Sequence, residues 1–261
     1  MRYYLLPASI FLLCISWLSP AIGTAQVSYG SVTYTASPEF KIDGLEEELP
    51  QTDQIAKMLH DLKASGGFDK QFSLTFTPGA FVFEESREKD QTVEDGGMTV
   101  TIMRNLTEPD VFYTDTETAT YTNQEAIADK LFLHSGAIPS VDWTLQDNQI
   151  PASDATLGFD LKTATAITPE GDSLIAAYAP ALPLQFGPIN YYGLPGAILQ
   201  LDVCRDESCT RYRATNLRIM AVQPSLLPPT EGKEVSREKF YALQDKYRAR
   251  ENKTVTSISR Q

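Results

Sequence analysis

Residues 186–203 read FGPINYYGLPGAILQLDV, and their reading decides the fold. Leu194-Pro195-Gly196-Ala197 predicts a type II turn, because proline pre-sets φ at the second turn position and glycine accepts the positive φ needed at the third. A strand should leave this turn at once. From Ala197 the side chains alternate, with Leu199, Leu201 and Val203 on one face and Ile198, Gln200 and Asp202 on the other, the period of a half-buried strand. Cys204 and Cys209 follow at the two ends of CRDESC. If they face each other across a four-residue loop, Val203 meets Thr210, Asp202 meets Arg211, Leu201 meets Tyr212 and Leu199 meets Ala214. That register puts apolar pairs on one face and an ion pair on the other, and predicts a disulfide-pinned antiparallel hairpin. Upstream, prolines at 180, 183 and 188 rule out a central strand and predict a fixed extended crossing into the turn.

Gly187-Pro188, then Tyr192, then Gly193-Leu194-Pro195-Gly196-Ala197-Ile198-Leu199 resemble the signature of the GLPGLI family of secreted proteins from Gram-negative Bacteroidota. The resemblance covers nearly the whole chain after the export signal and is most specific from Gly158 to Val203. It implies a single curved antiparallel sheet, bowl-like or half-barrel, carrying one or two peripheral helices. The family is named for its sequence, since its biochemical activity is not generally established. Genes of this kind often lie near those for outer-membrane receptors, which implies an envelope partner. Two departures matter: many members have a cysteine where this chain has Leu161, and a tryptophan where it has Ala177.

The rest of the chain agrees with a mainly β reading of about ten to twelve short strands. Val27–Thr35 has the β-branched and aromatic content of a first strand. Thr52–Lys63 predicts a helix, with Ile55, Met58, Leu59 and Leu62 on one face, Thr52 as cap and Gly66-Gly67 as terminator. Phe72–Thr77 and Ala80–Glu84 predict a hairpin around Pro78-Gly79 with a phenylalanine-rich core face. Arg87–Gly97 is charged and glycine-terminated, and reads as a mobile loop. Strands are expected at Met98–Ile102, on both sides of Asp115-Thr116, and at Val141–Leu145, Leu157–Ile167 and Leu174–Tyr178. Asn123–Leu133 is readable either as a helix or as a loop entering a strand, and the family resemblance favours the strand. Ser236–Arg248 predicts a second helix with Phe240, Leu243 and Tyr247 on one face. The expected organisation is an export signal over 1–25, one β domain over 26–222, and a linker with a C-terminal helix packed on it over 223–261.

Composition bounds the location and partners. Arg2, the apolar run Leu5–Leu18 and the small-x-small triplet Gly23-Thr24-Ala25 read as a cleaved signal, and the run is too short for a membrane span. Cys14 is most simply discarded with it. The formal charge of −12, one unit more negative after cleavage, repels nucleic acid and anionic headgroups, so neither is an expected partner. An oxidising compartment, the periplasm or cell envelope, suits the Cys204–Cys209 pair.

No chemistry stands out. The two histidines, His60 and His134, lie far apart without zinc spacing, and there is no phosphate loop of the Gly-Lys-Ser type and no G-x-S-x-G elbow. We therefore expect no catalytic residue, metal or cofactor. The candidate binding surface is Asn190, Tyr191 and Tyr192, where aromatic faces beside an amide suit peptide or glycan contacts, although tyrosines buttressing a rigid turn is the simpler role. Adjacent residues of an extended chain point opposite ways, so one tyrosine should be buried and the other free to line a groove. Three function classes follow: a non-enzymatic binding or accessory module first, then an envelope hydrolase acting on peptide or glycan, then a structural scaffold.

Overall fold

The computed structural model describes residues 29–39, 52–95, 97–103, 108–151, 153, 156–205 and 208–258. The export signal, Cys14 and the side chain of Ile55 lie outside them. Twelve strands form one sheet in the order β14-β8-β7-β6-β3-β2-β1-β13-β12-β11-β10-β9. In chain order these are β1 (Gly30–Glu39), β2 (Lys70–Phe76), β3 (Ala80–Glu85), β6 (Val111–Asp115), β7 (Thr120–Ile127), β8 (Lys130–Ala137), β9 (Thr144–Ile150), β10 (Leu161–Ile167), β11 (Ser173–Ala179), β12 (Ala197–Arg205), β13 (Ser208–Ile219) and β14 (Lys233–Glu234). A separate ribbon pairs β4 (Gln91–Asp95) with β5 (Met98–Ile102). Two α-helices, α1 (Thr52–Ala64) and α2 (Arg237–Ile258), accompany the strands among the described residues. The expected mainly β architecture is present. Every pairing in the large sheet is antiparallel except β14 with β8.

The sheet curls strongly but does not close into a barrel. Arg237 at the start of α2 bonds Glu170 in the β10–β11 turn at 2.7 Å, while Phe240, one turn on, stacks on His134 of β8. Strands near opposite ends of the sheet order therefore meet at one helical turn. Between these flanks the inner face is filled by Tyr34, Phe72, Leu74, Phe76, Phe81 and Phe83. Alternate residues of β1, β2 and β3 are buried, as the period of a strand with one wet face requires. Residues 180–196 cross inside the bowl: Phe186 stacks on Phe76 with ring centres 4.5 Å apart, and Leu194 is fully buried.

The hairpin register read from the cysteines is observed over most of its length. Cys204 pairs with Cys209 and the two form a disulfide; Val203 pairs with Thr210, Asp202 with Arg211 and Leu201 with Tyr212. Arg211 holds Asp202 with two hydrogen bonds of 2.9 and 2.8 Å. The face assignment changes further back. Against β11, β12 carries an extra residue, Leu199, between the pairs Tyr178–Ile198 and Ala177–Gln200. Such a bulge breaks strict alternation, so Ala197, Ile198 and Leu199 are all fully buried.

Other expectations change in detail. The GLPG turn is not type II: the Gly196 amide donates to the Leu194 carbonyl at 2.7 Å, a γ-turn around Pro195, while the Ala197 amide bonds Leu182 instead. Gly196 is required there because a Cβ would lie 2.2 Å from the Ala179 carbonyl oxygen. The segment read as a mobile loop contains β4, whose only strand partner among the described residues is β5. Asn123–Leu133 spans the end of β7, a turn and the start of β8, which settles its ambiguity in favour of strand. Trp143 precedes β9 rather than lying within it, and β10 starts at Leu161 after a short turn containing Leu157. The segment read as a linker contributes β14 to the sheet edge. Helix α2 extends to Ile258, capped by the Ser236 hydroxyl, which accepts from the Lys239 amide at 3.3 Å; Phe240 is buried, whereas Tyr247 is exposed.

Candidate functional site

Residues 185–193 are tied down along their length. Gln185 donates to the Leu194 carbonyl and accepts from the Gly193 amide, bracing both arms of the crossing. The Trp143 indole donates to the Tyr192 carbonyl at 3.0 Å. Asn190 donates to the Thr114 hydroxyl and accepts from the Asn123 amide, each at 2.8 Å. Asn190 is thus engaged in a network that joins β6 to β7. Tyr192 packs edge-on against Phe81, beside the main core. Tyr191 turns the other way, towards the β10–β12 cluster, and lines a groove of about 50 Å³ with Tyr121, Tyr241 and Arg237. The opposite orientation expected of adjacent residues is present. Burial first, and then Asp172, hold the Tyr191 hydroxyl well above the usual tyrosine range, so it stays neutral.

The groove is backed by a second buried network. His134 meets the Glu125 carboxylate at 2.8 Å and the Tyr121 hydroxyl at 3.3 Å. Phe240 lies flat over its ring with centres 4.3 Å apart, and the His134 side chain has no exposure. A general base must reach a substrate proton, and this imidazole is covered. Arg237 lies over the Tyr121 and Tyr241 rings at 5.5 and 4.9 Å while paired with Glu170, so its charge is already met. The Asn123 side-chain oxygen is buried without a hydrogen-bond partner among the described residues.

A larger cleft of about 460 Å³ opens where β1, β3, β5 and β7 end and β2 and β6 begin. Its volume falls in the range of small-ligand sites. Phe68, Ile102 and Met103 supply apolar lining, and the polar groups are mostly paired. Lys70 meets Glu85 at 2.9 Å, and Arg87 forms an ion pair with Glu108. Asp110 differs from these. It sits between Pro109 and the first residue of β6, and its Oδ1 accepts from the Ala126 amide at 2.8 Å across to β7. Burial chiefly, with Glu125 and Glu85 adding to it, pushes its carboxyl up to about 7. The Ala126 amide and Lys70 oppose that shift without cancelling it.

No family model matches the sequence, and no curated protein matches it either. Among solved structures, a chain described as PNGF-II is similar, with a TM-score of 0.48 and 11% identity, over 85% of this chain and 34% of that one. The chain thus spans about a third of that protein's length. A likeness of this size carries no inference about activity.

Among the described residues no group of three or more His, Cys, Asp or Glu side chains could hold a metal ion. None of their helices is long and apolar enough to cross a membrane. The cleft residues were not singled out by sequence reasoning, and little could have revealed them. Asp110 is one acid among the 34 of an acidic chain, and it is set in the cleft by the meeting of β6 with the end of β7.

Proposed function

We propose that this chain is an exported, non-enzymatic binding module of the cell envelope that takes a peptide or glycan ligand in the cleft beside Asp110, with Tyr191 and Tyr192 buttressing the crossing segment. The observation that carries this reading is the cleft itself: it has the volume of a ligand site, and two of its four acids, Glu85 and Glu108, are held in ion pairs with Lys70 and Arg87. The covered His134 also argues for binding over hydrolysis. The disulfide supports export, since such bonds persist in oxidising compartments.

The test is a screen of short peptides and oligosaccharides followed by amide NMR on the intact chain. A ligand should shift the Lys70, Ser86 and Ala126 signals, and a Ser86→Trp variant that retains its disulfide and circular dichroism should lose the response. Ligand recovered chemically unchanged after prolonged incubation supports a binding module. Recovered cleavage products would instead establish the hydrolase, and shifts confined to the Tyr191 groove would relocate the site.

A further inference from the structure

The Asp110 cleft has an electrostatic asymmetry. Glu85, Glu88, Glu108 and Asp110 line it against two cations, Lys70 and Arg87, and both cations are engaged in ion pairs with Glu85 and Glu108. Asp110 receives one hydrogen bond, from Ala126 to Oδ1. Its Oδ2 has no hydrogen-bond partner among the described residues. Beside it, Phe68, Ile102 and Met103 form an apolar wall, and Met103 is 63% exposed. An apolar wall leading to a half-buried carboxyl with a spare oxygen that opens onto the cleft matches a long aliphatic stem that ends in a cation.

Resting on the reading of this cleft as the ligand site, we propose that the ligand is a peptide presenting a lysine or arginine side chain, whose ammonium or guanidinium docks on ionised Asp110 while its methylenes lie along Phe68, Ile102 and Met103. Both cations among the described residues that line the cleft are already paired, so an anionic ligand would meet ionised Asp110 without a free cation from among them to receive it. A neutral ligand would leave the carboxyl protonated and gain no charge pairing from it.

The proposal has a pH signature. The charged groups around Asp110 are Glu85 on β3, Glu125 on β7 and Lys70 on β2, with Arg87, Glu88 and Glu108 along the cleft and the Tyr212 hydroxyl on β13. Burial first, with Glu125 and Glu85, opposed by the Ala126 amide and Lys70, leaves the carboxyl titrating at about 7, so an arriving cation displaces its proton. The ionised fraction then rises about tenfold between pH 6 and pH 8, and affinity for a cationic side chain should rise by the same factor.

The experiment uses the capped tripeptides acetyl-Ala-Lys-Ala-amide and acetyl-Ala-Arg-Ala-amide, with the norleucine analogue as the uncharged match, titrated into the full chain at pH 6 and pH 8. The Ala126 amide signal reports binding. Expected are saturable shifts with lysine and arginine, about tenfold tighter binding at pH 8, and little response to norleucine. Asp110→Asn should weaken binding of the cationic peptides and remove the pH dependence. The norleucine comparison and the wild-type pH dependence need no variant, so they decide the matter even if Asp110→Asn fails to fold. Equal binding of norleucine, or a pH-independent lysine affinity, overturns the cation proposal and leaves the cleft as the ligand site. If no tripeptide shifts any cleft signal, the cation proposal falls; if the broader ligand screen is silent as well, so does the binding reading.

Discussion

Tyr34 is fully buried on β1, and its hydroxyl donates to the Ile198 carbonyl at 2.6 Å, joining the first strand to the bulged start of β12. Tyr34→Phe keeps the ring contact with Phe83 but strands that carbonyl, so denaturant unfolding should show a loss of about 1–2 kcal/mol. Asp110 behaves in the opposite sense. Its folded carboxyl titrates at about 7 against an ordinary value of 3.8, so the folded state holds a proton that the unfolded chain has already released. Its contribution is therefore favourable below about pH 4, is lost as pH rises towards 7, and stays lost above. Asp110→Asn keeps the shape without the titration, and should be more stable than wild type at pH 8 by about 2 kcal/mol, the full shift being discounted because the residue opens onto the cleft. At pH 4 the two proteins should unfold at the same denaturant concentration. A mutant advantage of equal size at both pH values would contradict the burial of this carboxyl.

Elements built from local pattern were the most readable. The β2–β3 hairpin follows from alternating phenylalanines around Pro78-Gly79, and the β12–β13 register from the cysteine spacing together with the Asp202–Arg211 pair. What escaped depends on distant partners. The β12 bulge lies where β11 pairs with Ala197–Gln200 while residues of the crossing segment accept from the Ala197 and Ile198 amides, and no alternation rule encodes that. Strand β4 was hidden in a charged run because a two-stranded ribbon outside the main sheet needs no apolar face, and its residues are largely exposed. The disulfide closes a short loop, so chain-entropy reasoning assigns it about 2 kcal/mol. Reduction should lower stability by that amount and leave the far-ultraviolet spectrum native, since the Asp202–Arg211 pair still sets the register. Alkylation of the intact chain should label neither Cys204 nor Cys209 before reduction and both after it; two reactive thiols from the start would contradict the hairpin.

At the scale of the molecule, the mainly β class was legible because strand periodicity and turn residues recur throughout the chain. The position of the Asp110 cleft was not. Tyr191, Tyr192 and Asn190 attract attention as an exposed-looking aromatic run, yet Trp143, Phe81, Thr114 and Asn123 meet them from other parts of the chain. The cleft around Asp110 is assembled from six strand ends, that of β5 included, that no short motif links. The most direct test of the account is therefore a crystal structure with acetyl-Ala-Lys-Ala-amide bound at pH 8. We expect the lysine nitrogen within hydrogen-bond distance of Asp110, with its stem against Phe68 and Met103. A peptide seated in the groove of Tyr121, Tyr191 and Tyr241, with the Asp110 cleft empty, would contradict the account.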